Sequence, residues 1–248
     1  MQWTDKAIIV SIKKYGENSA IITMLTEHHG LHAGIINGID SANKRALYQL
    51  GNIVETTWKA RLSEHLGNFS SEIIDPVSSF LMFNQLSLAA LNSICNIINI
   101  ALSERLQEKD IFYNLEKFLL LLKEDNYLWQ KEYIFFELDL LSALGYGLDL
   151  SECAATEQIH DLTYISPKSG KAVSSDAGFP YRDKLFKLPE FFIDNNINPS
   201  PHDIIYALKI TGHFLKKFCF FPKGKNLPVI RNRFIEILAN KYNEELVS

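Results

Sequence analysis

The sequence predicts an α+β fold, a small closed β-barrel followed by a helical body. Three observations predict it. Short β-branched runs separated by polar turns fill residues 1–75, and apolar residues recur at helical spacing from residue 83 onward. The composition also suits a buried core: 47% of the 248 residues are apolar, 22% are charged and the mean hydropathy is -0.03. A chain of this length and balance is globular rather than disordered, and it has room for more than one domain.

The strands can be placed in order. Ala7 to Lys13 is a β-branched run closed by the polar turn Lys14-Tyr15-Gly16-Glu17-Asn18. Ala20 to Thr26 is the second, closed by His28-His29-Gly30, and Leu31 to Ile36 is the third, closed by Asn37-Gly38, a tight-turn signal. Ser41 to Leu50 reads as a loop or short helix. Asn52 to Leu62 is a fourth strand, with Val54, Thr56 and Trp58 on one face and Ile53, Glu55 and Thr57 on the other. Phe69 to Ile74 is the fifth. Five short strands over residues 1–75 fit an OB-fold barrel.

Asp75-Pro76 marks a boundary, because proline disfavours continuing the strand. Beyond it Phe83, Leu86, Ala90, Leu91, Ile94, Ile97, Ile98 and Ala101 recur at helical spacing. Ile111, Leu115, Phe118, Leu119 and Leu122 repeat the pattern, as do Tyr133, Phe136, Leu140 and Leu144 before Gly145-Tyr146-Gly147, a helix stop. Residues 148–182 lose the period and read as an irregular excursion. Helices follow at about 202–218 and 228–243, the second opened by Pro228. The expected divisions are 1–75, 76–147, 148–182 and 183–248.

Cys95, Cys153 and Cys219 lie far apart, which argues against a disulfide framework and fits a reducing cytosol. The N-terminus lacks a basic region followed by an apolar core, so no signal peptide is expected. Residues 76–103 carry no charge, yet Asn84, Gln85, Asn92, Asn96 and Asn99 punctuate them, so a buried helix is expected rather than a membrane span.

Charge is segregated. Residues 1–75 hold seven basic and eight acidic side chains, residues 104–161 five and thirteen, and residues 162–235 twelve and five. With a net charge of -4, affinity for a polyanion must come from local patches. No P-loop, dinucleotide fingerprint, G-x-S-x-G elbow or H-E-x-x-H occurs, so no catalytic residues are expected. His28, His29 and His32 have poor metal spacing and no evident completing ligands, and read as exposed turn histidines. Glu124-Asp125 and Glu244-Glu245 read as solvated helix ends rather than an acid–base pair.

The basic residues are the better candidates. In the barrel, Lys13, Lys14, Lys44, Arg45, Lys59 and Arg61 are interleaved with Trp3, Tyr15, Tyr48 and Trp58, the mixture of cations and aromatic faces that single strands need. The bland alternative is that these aromatics fill the barrel core. Between Asp203 and Glu236 no acid occurs, but Lys209, Lys216, Lys217, Lys223, Lys225, Arg231 and Arg233 do, among Phe214, Phe218, Phe220 and Phe221. Cations beside exposed aromatics suit an acidic-hydrophobic peptide or a nucleic-acid backbone. The alternative is lysines complementing a helix dipole over a phenylalanine core.

Taken in order, these motifs resemble the RecO family of bacterial recombination mediators. The likeness rests on Tyr15 and Glu17, the apolar strand Ile21-Ile22-Thr23-Met24-Leu25-Thr26, then Glu27 and Gly30. It continues through Leu144-Gly145-Tyr146-Gly147 and Thr163-Tyr164-Ile165-Ser166-Pro167-Lys168-Ser169-Gly170, and runs over essentially the whole chain. The resemblance implies an N-terminal OB-fold, a helical domain and a zinc-finger-like excursion. It also implies binding and annealing of single- and double-stranded DNA, loading of recombinase, and contacts with RecR and the acidic tail of single-strand-binding protein. A cytoplasmic, nucleoid-associated protein without enzymatic activity would follow.

Two departures stand out. Cys153 occupies the first zinc-ligand position, but Thr156 stands where its partner would be and Ser174-Ser175-Asp176-Ala177 replaces the second pair. One soft ligand cannot hold structural zinc, so no metal or other cofactor is expected and Tyr164, Phe179 and Tyr181 are expected to pack the excursion. Asn37-Gly38 lies where many relatives place a basic residue before the glycine, which gives Lys44 and Arg45 more weight. The competing expectations are a protein–protein adaptor that does not touch DNA, and a nuclease or hydrolase built on the histidines.

Overall fold

The computed structural model describes residues 1–125 and 127–247, with side chains in the last helix as far as Glu244. The chain forms two compact units, Met1–Trp129 with Pro228–Asn240, and Gln130–Leu227 with Lys241–Ser248.

The first unit opens with a closed barrel in the strand order β1-β2-β3-β5-β4. Its strands are β1 Gln2–Lys14, β2 Ser19–Thr26, β3 Gly30–Asn37, β4 Ile53–Lys59 and β5 Asn68–Asp75, with helix α1 Ala42–Leu47 between β3 and β4. Alternation selects the interior: Ala7, Ile9, Ala20, Ile22, Met24, Val54, Trp58 and Phe69 pack together inside, with Ile36 and Tyr48. β1 is longer than its β-branched run suggests. Ile8 and Val10 are buried on its other face, because the later helix Gln85–Ala101 covers that side. Gln2 to Ile8 of β1 pair with β4 and Ala7 to Lys14 with β2, and a bulge between Ile9 and Ser11 bends the strand.

After β5 come α2 Val77–Leu81, α3 Gln85–Ala101 and α4 Lys109–Lys123. Asn84 caps α3 by accepting the Ser87 backbone N–H. Phe83 does not join the apolar stripe: it precedes the cap and is 96% exposed. Among the described residues no helix is long and apolar enough to cross a membrane. Asn52, fully buried, donates to the Ala46 and Leu47 carbonyls and accepts the Ser78 N–H, tying α1 to the start of α2.

In the second unit, helix α5 (Trp129–Ala143, whose first residue belongs to the first unit) leads into residues 148–187. These build a small sheet in the order β7-β6-β8, from β6 Leu162–Ile165, β7 Ala172–Ser174 and β8 Phe186–Lys187. The excursion is therefore an ordered sheet, and β8 carries it past residue 182. Short helix α6 Ser175–Gly178 follows β7, and α7 Pro201–Phe214 continues into a π-helical turn, Leu215–Phe220. Ser200 and Asp203 form a reciprocal capping box at the start of α7. The last helix, α8 Val229–Val247, places Phe234 against Trp129 within the first unit.

In the expected packing of the excursion, Tyr164 is half-buried against Gly178, but Phe179 and Tyr181 need correction. Phe179 and Tyr181 are 60% and 61% exposed, the Phe179 ring being covered by the Arg182 guanidinium rather than by a core. The buried positions are Cys153, Ile165, Ala172 and Ser174, brought inward by strand alternation and by backbone bonds from residues 149–154 to β7.

Two turn glycines allow a controlled test. Gly30 and Gly16 both have positive φ, but a Cβ at Gly30 would lie 2.1 Å from the Leu106 carbonyl oxygen, whereas one at Gly16 meets nothing within 4 Å. Gly30→Ala should cost about 2–4 kcal/mol and Gly16→Ala only about 1 kcal/mol, read by denaturant unfolding. Equal losses would mean that backbone conformation, not the Leu106 contact, controls the turn.

Candidate nucleic-acid interface

Strand register decides which barrel cations meet. Lys13 and Lys14 end β1 and pair with Ile21 and Ala20, while Ser19 pairs with Asn37 at the end of β3. Lys14 and Asn37 thus lie two strands apart, roughly 10 Å. Lys44 Nζ donates to the Asn37 carbonyl, and the Gly38 N–H donates to the Asn18 carbonyl. Lys13, Lys14, Lys44 and Arg45 therefore share one end of the barrel with Tyr15, which is 53% exposed. Lys59 pairs with Gln2, at the other end of β1, and Arg61 follows it. Roughly 35 Å of strand separates the two groups.

Among the described residues none of these six cations forms an ion pair, although Glu17 and Asp40 share the same loops. Lys6 is different, being neutralised by Glu116. The interleaved aromatics need correction. Tyr48 and Trp58 are 4% and 2% exposed and fill the barrel, because their strand and helix faces point inward. Trp3 is half-buried and stacks on His29 and Trp58. Tyr15 is the aromatic left beside the cations.

In the second unit Lys209 and Lys216 are exposed two turns apart, and Lys216 lies over the exposed Phe221 ring. Lys217 is half-buried, donating to the Pro167 and Lys168 carbonyls at 2.9 and 2.6 Å. Lys223 and Lys225 are exposed. Phe214 and Phe220 are fully buried, and Phe218 stacks between Tyr146 and Phe214. They are core, not an exposed aromatic surface. Arg231 is 2% exposed and cannot offer its charge to a ligand; it sits on the buried face of α8. Arg233 is exposed, and both arginines belong to the first unit.

Cys153 is the remaining donor at the positions where the resemblance implies zinc. The Ser174 N–H donates to its sulfur at 3.2 Å and the Ser174 hydroxyl lies 3.4 Å away. Burial would raise the thiol, but bonds from Ser174 and Thr156 bring it down to about 6. Hydroxyls replace the missing thiolates, and this set does not fit a structural zinc. Glu124, Asp125 and Glu244 are exposed, and the Glu245 side chain lies outside the described residues.

The histidines are not simply exposed turn residues. His28 and His29 both hold Asp5, which is 6% exposed on β1, and His32 is 5% exposed between Trp3 and Trp58. Burial would raise the Asp5 carboxyl, but the bonds from His28 and His29 keep it below its usual value. Among the described residues neither ring nitrogen of His32 has a hydrogen-bond partner, and burial, aided by the Arg105 charge, pushes it down to about 4. The missed signal is Asp5 itself, an acid at the same strand alternation as Ala7 and Ile9, which are buried.

The N-terminal family described as "Recombination protein O N terminal" matches residues 1–77, and "Recombination protein O C terminal" matches residues 83–218. The chain is 35% identical over 243 residues to the DNA repair protein RecO of Rhodospirillum rubrum, covering 96% of each chain. It is 38% identical over 244 residues to that of Beijerinckia indica, covering 98% of this chain and 97% of the relative. Identity to the Ruegeria sp. protein of the same name is 37% over 242 residues, or 97% and 100% of the two chains.

His32 generates a pH prediction. Its folded-state value lies below the ordinary 6.5, so its contribution is complete above pH 6.5 and is lost as pH falls towards 4. His32→Phe should flatten the acid limb of stability, removing a slope of at most about 1.4 kcal/mol per pH unit in that window. Denaturant unfolding at pH 7.5 and 4.5 reads it. A constant difference between the two proteins at both pH values would place the protonation elsewhere.

Proposed function

Because the chain belongs to the RecO family of DNA repair proteins, we propose that it is a non-enzymatic mediator of recombinational repair. It binds and anneals DNA strands and helps load recombinase onto strands coated by single-strand-binding protein. Its barrel is read as an OB-fold on the strength of the closed order β1-β2-β3-β5-β4. The excursion is read as a zinc-finger-like module that has lost its ligands.

The observation that carries the DNA reading is the gathering of Lys13, Lys14, Lys44 and Arg45 around exposed Tyr15 at one barrel end. Cations without carboxylate partners can exchange condensed counterions for phosphates, and one exposed ring can stack a base. Neutralising phosphate on two strands at once lowers their repulsion and favours annealing. Lys59 and Arg61 extend the contact to a longer strand. Lys209, Lys216, Lys223 and Lys225 suit the acidic tail of single-strand-binding protein, with Phe221 as an apolar contact. RecR is the further expected partner, and the setting is the cytoplasmic nucleoid.

Fluorescence anisotropy with a labelled single-stranded oligonucleotide tests the reading. Four phosphate contacts give a salt slope of roughly -2.8, so affinity should fall about fifty-fold between 50 and 200 mM salt. Replacing Lys13 and Lys14 by Ala should halve that slope. Binding indifferent to salt would leave the adaptor reading in its place. With a labelled acidic peptide, replacing Lys216, Lys223 and Lys225 by Ala should weaken binding about ten-fold, whereas Lys217→Ala should instead lower stability by about 1 kcal/mol, because its charge is occupied by two carbonyls.

A further inference from the structure

The cluster around Asp5 is not used by the DNA reading, and its geometry is specific. Asp5 Oδ1 accepts from His28 Nδ1 at 2.9 Å, and Oδ2 accepts from His29 Nδ1 and the His28 backbone N–H, both at 2.8 Å. With both Nδ1 atoms donating, each imidazole presents an unprotonated Nε2 on its far side when neutral. His28 Nε2 lies 3.8 Å from Glu27 Oε1. That gap is too long for a hydrogen bond. It is close to the edge of a tetrahedral coordination shell, roughly 3.3–3.6 Å for arms of about 2.0–2.2 Å. Asp5, Glu27 and His28 each offer a ligand atom within 4.8 Å of the others.

Charge points the same way. Asp5 and Glu27 find only imidazoles as ionic partners among the described residues, and neither pairs with a lysine or arginine. The Tyr113 hydroxyl also donates to Glu27. Two carboxylates, one of them buried, therefore face imidazoles rather than a lysine or arginine. His32 close by is held neutral and adds no positive charge.

We infer that Glu27 and His28 bind a divalent transition-metal ion, with Asp5 as the carboxylate that fixes the His28 tautomer from behind. A carboxylate on the second ring nitrogen is the usual support of a metal-binding histidine, since it orients the ring and raises its basicity. The mixed nitrogen and oxygen set favours an ion of the zinc or manganese kind over magnesium. Two protein ligands leave coordination positions for water or for an anionic oxygen of a bound molecule.

The test uses the full chain, stripped with a chelator and dialysed, then titrated calorimetrically with Zn²⁺ and separately with Mg²⁺. One equivalent of Zn²⁺ should bind, raising the thermal midpoint, while Mg²⁺ should not compete. Glu27→Gln and His28→Ala, both on the half-open rim, should weaken Zn²⁺ binding at least ten-fold without loss of fold. Cys153→Ser and His65→Ala should leave it unchanged. If no Zn²⁺ binds, the inference falls. It falls equally if Cys153→Ser abolishes binding, or if Glu27→Gln and His28→Ala both bind like the parent chain.

Discussion

Closure of the barrel is the constraint on which the surface chemistry of the first unit depends. Strands β3 and β5 meet in parallel at one register point, Ile35 with Asn68, where the Ile35 N–H donates to the Gly67 carbonyl. That junction is held from inside by Trp58, whose indole N–H donates to the Leu66 carbonyl. A Cβ on Gly67 would lie 2.4 Å from the same indole nitrogen, so the turn and the core ring specify each other. Burying Trp58 in this way removes it from any ligand and gives it a structural task.

Once the barrel is closed, β1 has to serve two neighbours. Gln2 to Ile8 pair with β4 and Ala7 to Lys14 with β2, so the partners overlap at Ala7 and Ile8, ahead of the bulge at Val10. Its two ends therefore acquire different chemistry. The end near Asn37 and Asn18 is cationic and open, with Tyr15 at its tip. The other carries the Asp5, His28 and His29 cluster beneath Trp3. The first end gathers cations alone, whereas the second sets the carboxylates of Asp5 and Glu27 beside Lys59 and Arg61, which gives a barrel of nearly balanced charge a polarity that its total hides.

Much of this was legible in the chain. The strands followed from β-branched runs and from turns such as Asn37-Gly38, where Gly38 has positive φ. The long helices followed from the spacing of Ile94, Ile97 and Ile98, or of Leu115, Phe118 and Leu119, all buried. What stayed hidden depends on contacts distant in sequence. Asp5 meets His28 and His29 only through strand pairing, so local spacing could not reveal a carboxylate behind the imidazoles. Arg231 looked like one of a run of free cations because composition carries no information about which helix face is buried. Phe179 and Tyr181 resembled a small core, but a short 3-10 turn leaves them outward and gives Phe179 to Arg182 instead.

The excursion shows how a module can keep its shape with a single thiol. The segment before β6 is strapped to the sheet by backbone bonds, Asp149 N–H to the Gly170 carbonyl, Ala172 N–H to the Asp149 carbonyl and Ala154 N–H to the Ala172 carbonyl. An ion pair between Lys171 and Asp149 crosses the same junction. Cys153 then sits in a ring of donors, with the Ser174 N–H on its sulfur. Neutral hydrogen bonds are each worth about 1 kcal/mol, far below the roughly 10–16 kcal/mol of a structural zinc site. Several together, with Ile165 and Ala172 fully buried behind them, can still order a three-stranded sheet attached to a larger unit. The module also leans on its neighbours, as when Lys217 on the π-helical turn holds the Pro167 and Lys168 carbonyls. A lysine held in that way by two carbonyls is no longer available to a partner.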